Sequence, residues 1–96
     1  MAEDIRVVPT GSGTGDWRVE LANGTYLCDI HLEISLVLNA SRYYVLRDGK
    51  LIREGTFSFH IWNDDAACEL LTALVKSMYP TAKVTIDIPA PGCNWP

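Results

Sequence analysis

Three potential metal ligands stand at alternate positions of the sequence. Asp29, His31 and Glu33 have the spacing that places side chains on one face of a β-strand, and His60 is a fourth candidate. Carboxylate and imidazole groups of this kind can bind a divalent ion. However, alternate side chains on one strand point in parallel directions instead of converging, and any solvated strand face looks similar. We therefore predict no metal and no cofactor.

The groups needed for nucleophilic catalysis are present but form no recognisable motif. Ser58 and His60 are expected to share a strand face with His31 and Glu33. The sequence has no nucleophile elbow, and a small domain with one helix encloses little space for a substrate. We therefore predict a protein that is not an enzyme.

A glycine-rich segment, Gly11–Gly15, has the composition of a phosphate-binding loop. It lacks the Gly-Lys-Ser/Thr ending of such loops. The residues after it predict a strand, whereas a phosphate-binding loop leads into a helix whose N-terminus meets the anion. We interpret the segment as a flexible connector.

The charge and cysteine content limit the possible partners and compartments. Twelve acidic residues against eight dispersed basic ones give a formal charge of −4, which disfavours nucleic acid and anionic lipid. No run is long enough to span a membrane, and the first residues lack the apolar segment of a secretory signal. The three cysteines have no CxxC spacing, so we expect reduced thiols that fill the core, and a cytoplasmic protein.

Strand periodicity dominates the first two thirds of the chain. Asn23-Gly24, Asn39-Ala40-Ser41 and Asp48-Gly49 are predicted turns, and Gly55 predicts a bulge or a bend. Alternating apolar residues predict six strands, at Ile5–Val8 (as an edge strand), Trp17–Leu21, Tyr26–Leu38, Arg42–Arg47, Leu51–Trp62 and Lys83–Ile88.

The period changes to that of a helix after residue 62. Asn63 predicts the N-cap, and Pro80 ends the helix after Tyr79. The apolar face of this helix is predicted to consist of Ala67, Leu70, Leu71, Leu74, Val75 and Met78. We therefore expect one α+β domain, residues 1–90, in which a curved antiparallel sheet of five or six strands (β-β-β-β-β-α-β) packs against one amphipathic helix. Residues 91–96 are a short tail.

The helix can cover only one face of this sheet. The other face is predicted to carry polar and aromatic side chains, and Trp95 lies in the tail. Exposed aromatic residues dominate the energetics of protein interfaces. The candidate partner-binding residues are Asp29, His31, Glu33, Ser58, His60, Trp62 and Trp95.

These observations favour a small, non-catalytic protein-binding domain that inhibits a larger protein by occluding part of its surface. Proteins of this kind include anti-defence proteins of phages and mobile elements, such as anti-CRISPR proteins, and immunity proteins or antitoxins.

Three alternatives stay open. The chain could be a structural or homo-oligomeric component, for example of a phage particle or a homodimer, that associates through the same face or through Ile5–Val8. It could bind a small ligand or nucleic acid if its arginines converge in space. A partner could also contact the loops at Gly11–Asp16 and Asp48–Lys50, or Trp95, instead of the sheet face.

Overall fold

The computed structural model describes residues 4–10, 15–35, 40–57 and 64–87 of the chain. In chain order these ranges contain β1 (Asp4–Pro9), β2 (Asp16–Leu21), β3 (Tyr26–Ser35), β4 (Ala40–Arg47), β5 (Lys50–Phe57), α1 (Asp64–Met78) and β6 (Lys83–Ile86). The predicted α+β class and the predicted order of elements are confirmed.

The strands form a single open, mixed sheet in the order β5-β4-β3-β2-β1-β6. Strands β1 to β5 are an antiparallel meander, as short turns between neighbours require. Strand β6 instead pairs parallel to β1, with Ile5 opposite Val84. This parallel pair was not predicted. It arises because α1 carries the chain from the β5 edge back across one face to the opposite edge.

The core lies between α1 and one face of the sheet, which we call the helix face. Ile5, Val7, Trp17, Val19, Cys28 and Ile30 are fully buried there, and Leu21, Val84 and Ile86 pack beside them partly buried. The predicted helix face is also confirmed, since Ala67, Leu71, Leu74 and Val75 are buried and Leu70 and Met78 are partly buried. Burying a large aliphatic side chain contributes about 1.5–3 kcal/mol before entropy is counted, so this set holds α1 on the sheet.

Two arginines tie the end of α1 to the sheet. Arg53 of β5 donates from Nη1 to Ser77 Oγ at 2.7 Å. Arg47 of β4 donates from Nη2 to the Tyr79 hydroxyl at 3.4 Å and from Nε to the Leu27 carbonyl at 3.0 Å. Positive charge beside the C-terminus of a helix is favourable, because the carbonyl dipoles point there. These contacts connect the C-terminal end of α1 to β4 and β5.

The turn between β4 and β5 follows the prediction closely. Asp48 and Gly49 both have positive φ, 53° and 79°, which makes a two-residue type I′ turn closed by Arg47 and Lys50. Between β2 and β3, Gly24 has a φ of 94°, while the Asn23 side chain accepts a hydrogen bond from the Thr25 amide at 2.9 Å. Both sequence signals therefore mark chain reversals.

Three details of the predicted sheet are wrong. Ala40 and Ser41 begin β4 instead of turning, because Ser41 is buried opposite Phe57. Gly55 is not at the bulge, since it pairs regularly with Tyr43 and the Tyr43 ring occupies the space that a side chain at Gly55 would need.

The bulge in β5 lies at Ile52, between the pairs Leu46–Leu51 and Val45–Arg53.

The third error concerns β1, which was predicted to be an edge strand. It is paired on both sides, with β2 and β6, so it offers no free edge to a second molecule. The parallel return of β6 covers that edge.

Helix α1 has 15 residues and is about 22 Å long at 1.5 Å per residue. In the ranges described here, no helix combines the length and the apolar character needed to cross a bilayer.

Candidate functional site

The face of the sheet opposite α1, which we call the open face, carries the predicted site residues that the structure describes. Asp29, His31 and Glu33 alternate with the buried Ile30 and Leu32 and therefore share this face, as predicted. Cross-strand partners share a face, so the pairing register gives its remaining members. These are Asp4, Arg6, Val8, Asp16, Arg18, Glu20, Tyr26, Arg42, Tyr44, Leu46, Leu51, Glu54, Thr56, Lys83 and Thr85.

His31 is the centre of a polar row that crosses three strands. It lies opposite Asp16 of β2 on one side and Tyr44 of β4 on the other. Its Nδ1 is 2.6 Å from Asp16 Oδ1, and its ring stacks on the Tyr44 ring with centroids 6.0 Å apart and an interplanar angle of 26°. Because an ionised carboxylate can only accept, Nδ1–H is the donor. In the neutral ring Nε2 then has a lone pair available to a partner.

A second group of polar residues connects β2, β3 and the β4–β5 turn. The Tyr26 hydroxyl donates to Asp29 Oδ2 at 2.7 Å and accepts from the Asp48 amide at 3.3 Å. The pKa of Tyr26 is raised mainly by the hydrogen bond to the Asp29 carboxylate and, to a smaller extent, by desolvation. The Arg18 guanidinium lies 5.2 Å from the centre of the Tyr26 ring.

The same arginine is paired with a carboxylate on its own strand. Arg18 Nε is 3.1 Å from Glu20 Oε2, close enough for an ion pair although its N–H is not aligned for a hydrogen bond. Together with the Tyr26–Asp29 hydrogen bond, this contact restrains polar side chains on the open face.

The open face also has a hollow beside the outer strand. It measures about 350 Å³, is open to solvent, and is lined by Arg42, Tyr44, Glu54, Gly55 and Thr56. Its volume is at the lower end of small-molecule sites, but such sites enclose most of their ligand, and this one does not.

The metal-site hypothesis has a clear geometric obstacle. Alternate residues of a strand are about 6.8 Å apart along the chain, so Asp29, His31 and Glu33 do not converge on one point. Asp29 and His31 also have other hydrogen-bond partners, Tyr26 and Asp16. Among the described residues, no three His, Cys, Asp or Glu side chains are grouped as metal ligands.

Cys28 is not available as a nucleophile in the folded protein. Its side chain is fully buried in the core, and this burial raises the pKa of the thiol to about 11. A thiol with this pKa stays protonated at neutral pH. Cys68, on α1, is partly buried.

Four of the predicted partner-binding residues, Ser58, His60, Trp62 and Trp95, lie outside the described residues. Sequence reasoning missed others that complete the open face, above all Arg18, Tyr44 and Glu54, and it assigned Asp16 to a candidate binding loop instead of to β2. The open-face residues of β2 and β5 lie in strands with alternating polar and apolar residues, so periodicity could have assigned them to a face of the sheet. Their contacts with Asp29 and His31 could not be predicted in this way, because these depend on strand register.

No protein-family model matches this chain, and no curated protein or solved structure shows significant similarity to it. The geometry and charge of the open face are therefore the basis for assigning a function.

Proposed function

We propose that this chain is a non-catalytic protein-binding domain that inhibits a larger protein by covering part of its surface. The observation that supports the proposal is the open face. In the described part of the chain the only helix packs on the opposite side of the sheet, and the side chains of the open face remain partly or fully exposed. Sheet faces left without a covering layer commonly serve as binding surfaces.

The chemistry of the open face favours a basic partner surface. Its strand residues include six carboxylates against three guanidinium groups and the Lys83 ammonium group, and the whole chain has a charge of −4. The arginines do not form a continuous basic patch, because Arg18 pairs with Glu20 and Arg42 lies opposite Glu33. This interleaving disfavours a phosphate backbone as the ligand.

At the centre of this surface, the stacked rings of His31 and Tyr44 would supply the apolar contact of a hot spot. The hydrogen bond to Asp16 already restrains the imidazole, so binding loses little side-chain entropy there. An arginine or lysine of the partner could lie on Tyr44 and reach Glu54, its cross-strand neighbour. We place the protein among cytoplasmic inhibitors such as anti-CRISPR and other anti-defence proteins, or immunity proteins and antitoxins.

The test is affinity capture from the host lysate followed by titration of the identified partner with purified variants. Tyr44→Ala should weaken binding by about 2 kcal/mol or more, the loss typical of an interface hot spot. Glu33→Lys should also weaken it, through repulsion of a basic surface.

Glu69→Lys is the matched control, because Glu69 is exposed on α1, away from the open face, and the substitution changes the net charge equally. The proposal is wrong if folded Tyr44→Ala and Glu33→Lys proteins bind the partner as tightly as the unsubstituted protein does. Stronger loss from Glu69→Lys than from Glu33→Lys would place the interface on the helix.

A further inference from the structure

Strand β5 lies at the edge of the sheet, and among the described residues no strand other than β4 pairs with it. It is eight residues long. Most of its residues are exposed, and Leu51 and Ile52 are 51% and 46% exposed despite being large and apolar. The opposite edge strand, β6, has four residues. A long exposed edge is a template for pairing with another strand.

The turn and the bulge determine which backbone groups of β5 face outward. A two-residue type I′ turn makes Arg47 and Lys50 a hydrogen-bonded pair, and such pairs alternate along an antiparallel ladder. The extra residue at Ile52 resets this alternation, so that Arg53, Gly55 and Phe57 bond inward to β4. The N–H and C=O groups of Glu54 and Thr56 therefore point away from the sheet.

The side chains of β5 restrict the ways in which two copies could pair. In an antiparallel dimer each residue lies opposite one on the same face, and the two-fold axis passes through one residue position. An axis at Arg53 or Glu54 would place that charged residue opposite its own copy. An axis at Gly55 places Arg53 opposite the partner's Phe57 and Glu54 opposite the partner's Thr56. This register opposes no like charges and leaves the bulge outside the paired segment.

We propose that β5 pairs antiparallel with β5 of a second copy of this chain, about a two-fold axis at Gly55. Glu54 of each copy then exchanges two backbone hydrogen bonds with the partner's Thr56, which gives four intermolecular hydrogen bonds in total. The Tyr43 ring packs over Gly55 on the helix face, so the axis is flanked by one tyrosine from each copy. The two sheets become continuous, with both open faces on the same side.

The first experiment is sedimentation equilibrium over a roughly hundredfold range of protein concentration, since dimerisation follows mass action. The unsubstituted protein should change reversibly from monomer to dimer. Thr56→Pro should weaken the dimer about tenfold or more, because it removes two of the four intermolecular hydrogen bonds. The outward N–H of Thr56 makes no bond to β4, so proline is tolerated in the monomer. Thr56→Ser, which keeps the N–H, should dimerise like the unsubstituted protein.

The second experiment tests the register by disulfide formation. Opposed residues in a hydrogen-bonded antiparallel pair have Cα atoms about 5.5 Å apart, within the range of a disulfide. An equimolar mixture of Glu54→Cys and Thr56→Cys should form the mixed disulfide dimer under mild oxidation, while each variant alone should not. The unsubstituted protein, with its three native cysteines, is the control.

A mass that stays monomeric over the whole range would overturn the dimer, as would a dimer unaffected by Thr56→Pro. Efficient cross-linking of Glu54→Cys or of Thr56→Cys with itself would overturn the axis at Gly55. Either failure leaves the open-face proposal standing, because partner capture is measured with different substitutions, Tyr44→Ala and Glu33→Lys.

Discussion

Replacing Leu71 with alanine measures how strongly α1 is held by the sheet. Leu71 is fully buried at the middle of the helix, among core residues of the sheet. The substitution removes three carbon atoms, which costs about 2.4 kcal/mol of transfer free energy at about 0.8 kcal/mol per methylene group. The cavity left behind brings the expected loss of unfolding free energy to about 3–5 kcal/mol. Alanine is an excellent helix former, so this loss reports packing and not helix propensity.

Leu70→Ala is the matched control, because it removes the same atoms from the neighbouring position of the same helix. Leu70 is partly buried, so we expect it to lose about 1–2 kcal/mol. Urea unfolding, followed by circular dichroism and by tryptophan fluorescence, to which the buried Trp17 contributes, gives both free energies by linear extrapolation. Equal losses in the two variants, or a loss below about 1 kcal/mol at Leu71, would refute the helix face described above.

Three further predictions address the sheet, the core thiol and metal binding. Gly55→Ala should lower the unfolding free energy by about 1–3 kcal/mol in thermal unfolding, because the new methyl group overlaps the Tyr43 ring. When Tyr43 is also replaced by alanine, the same substitution should cost little or nothing. Cys28 should resist alkylation until the protein unfolds, as peptide mapping would show. Burial raises the pKa of its thiol from 9.0 to about 11, so the protonated thiol stabilises the fold fully below pH 9, and this stabilisation is lost as the pH rises towards 11. Comparing the unfolding free energy of the unsubstituted protein with that of Cys28→Ala over this pH range measures the loss. A chelator should leave the melting temperature unchanged, because Asp29 and His31 are hydrogen-bonded to other side chains; a drop that zinc reverses would contradict this.

Helix α1 and the alternation of the strands can be predicted from the sequence because their signals are local. The spacing of the apolar residues of α1 specifies which side is buried, and Pro80 stops the helix within two residues of Met78. In β3, strict alternation assigns His31 to one face and Ile30 to the other. Each of these features depends on residues a few positions apart.

The irregularities of the sheet depend instead on pairing between strands. Gly55 looks like the natural place for a bulge, yet the Tyr43 ring opposite it fills the space and keeps the pairing regular. The bulge falls at Ile52, an ordinary strand residue. Ser41 has a turn-forming type but is buried opposite Phe57. Local propensity is weak compared with the packing of a cross-strand neighbour. Residue type alone therefore predicts the wrong position for the bulge in β5 and a turn where β4 begins.

Strand order and the contacts of the open face come from longer-range constraints. The apolar side of the whole sheet must be covered by one helix, and that helix returns the chain beside β1, which converts Ile5–Val8 from an expected edge into an interior strand. The same arrangement leaves β5 at the opposite edge of the described sheet. The contact between His31 and Asp16 joins residues 15 positions apart and follows from the β2–β3 register, which is shifted by an irregularity between Val19 and Glu20. Alternation assigns a residue to a face, but adjacency on that face is determined by which strands pair and in what register.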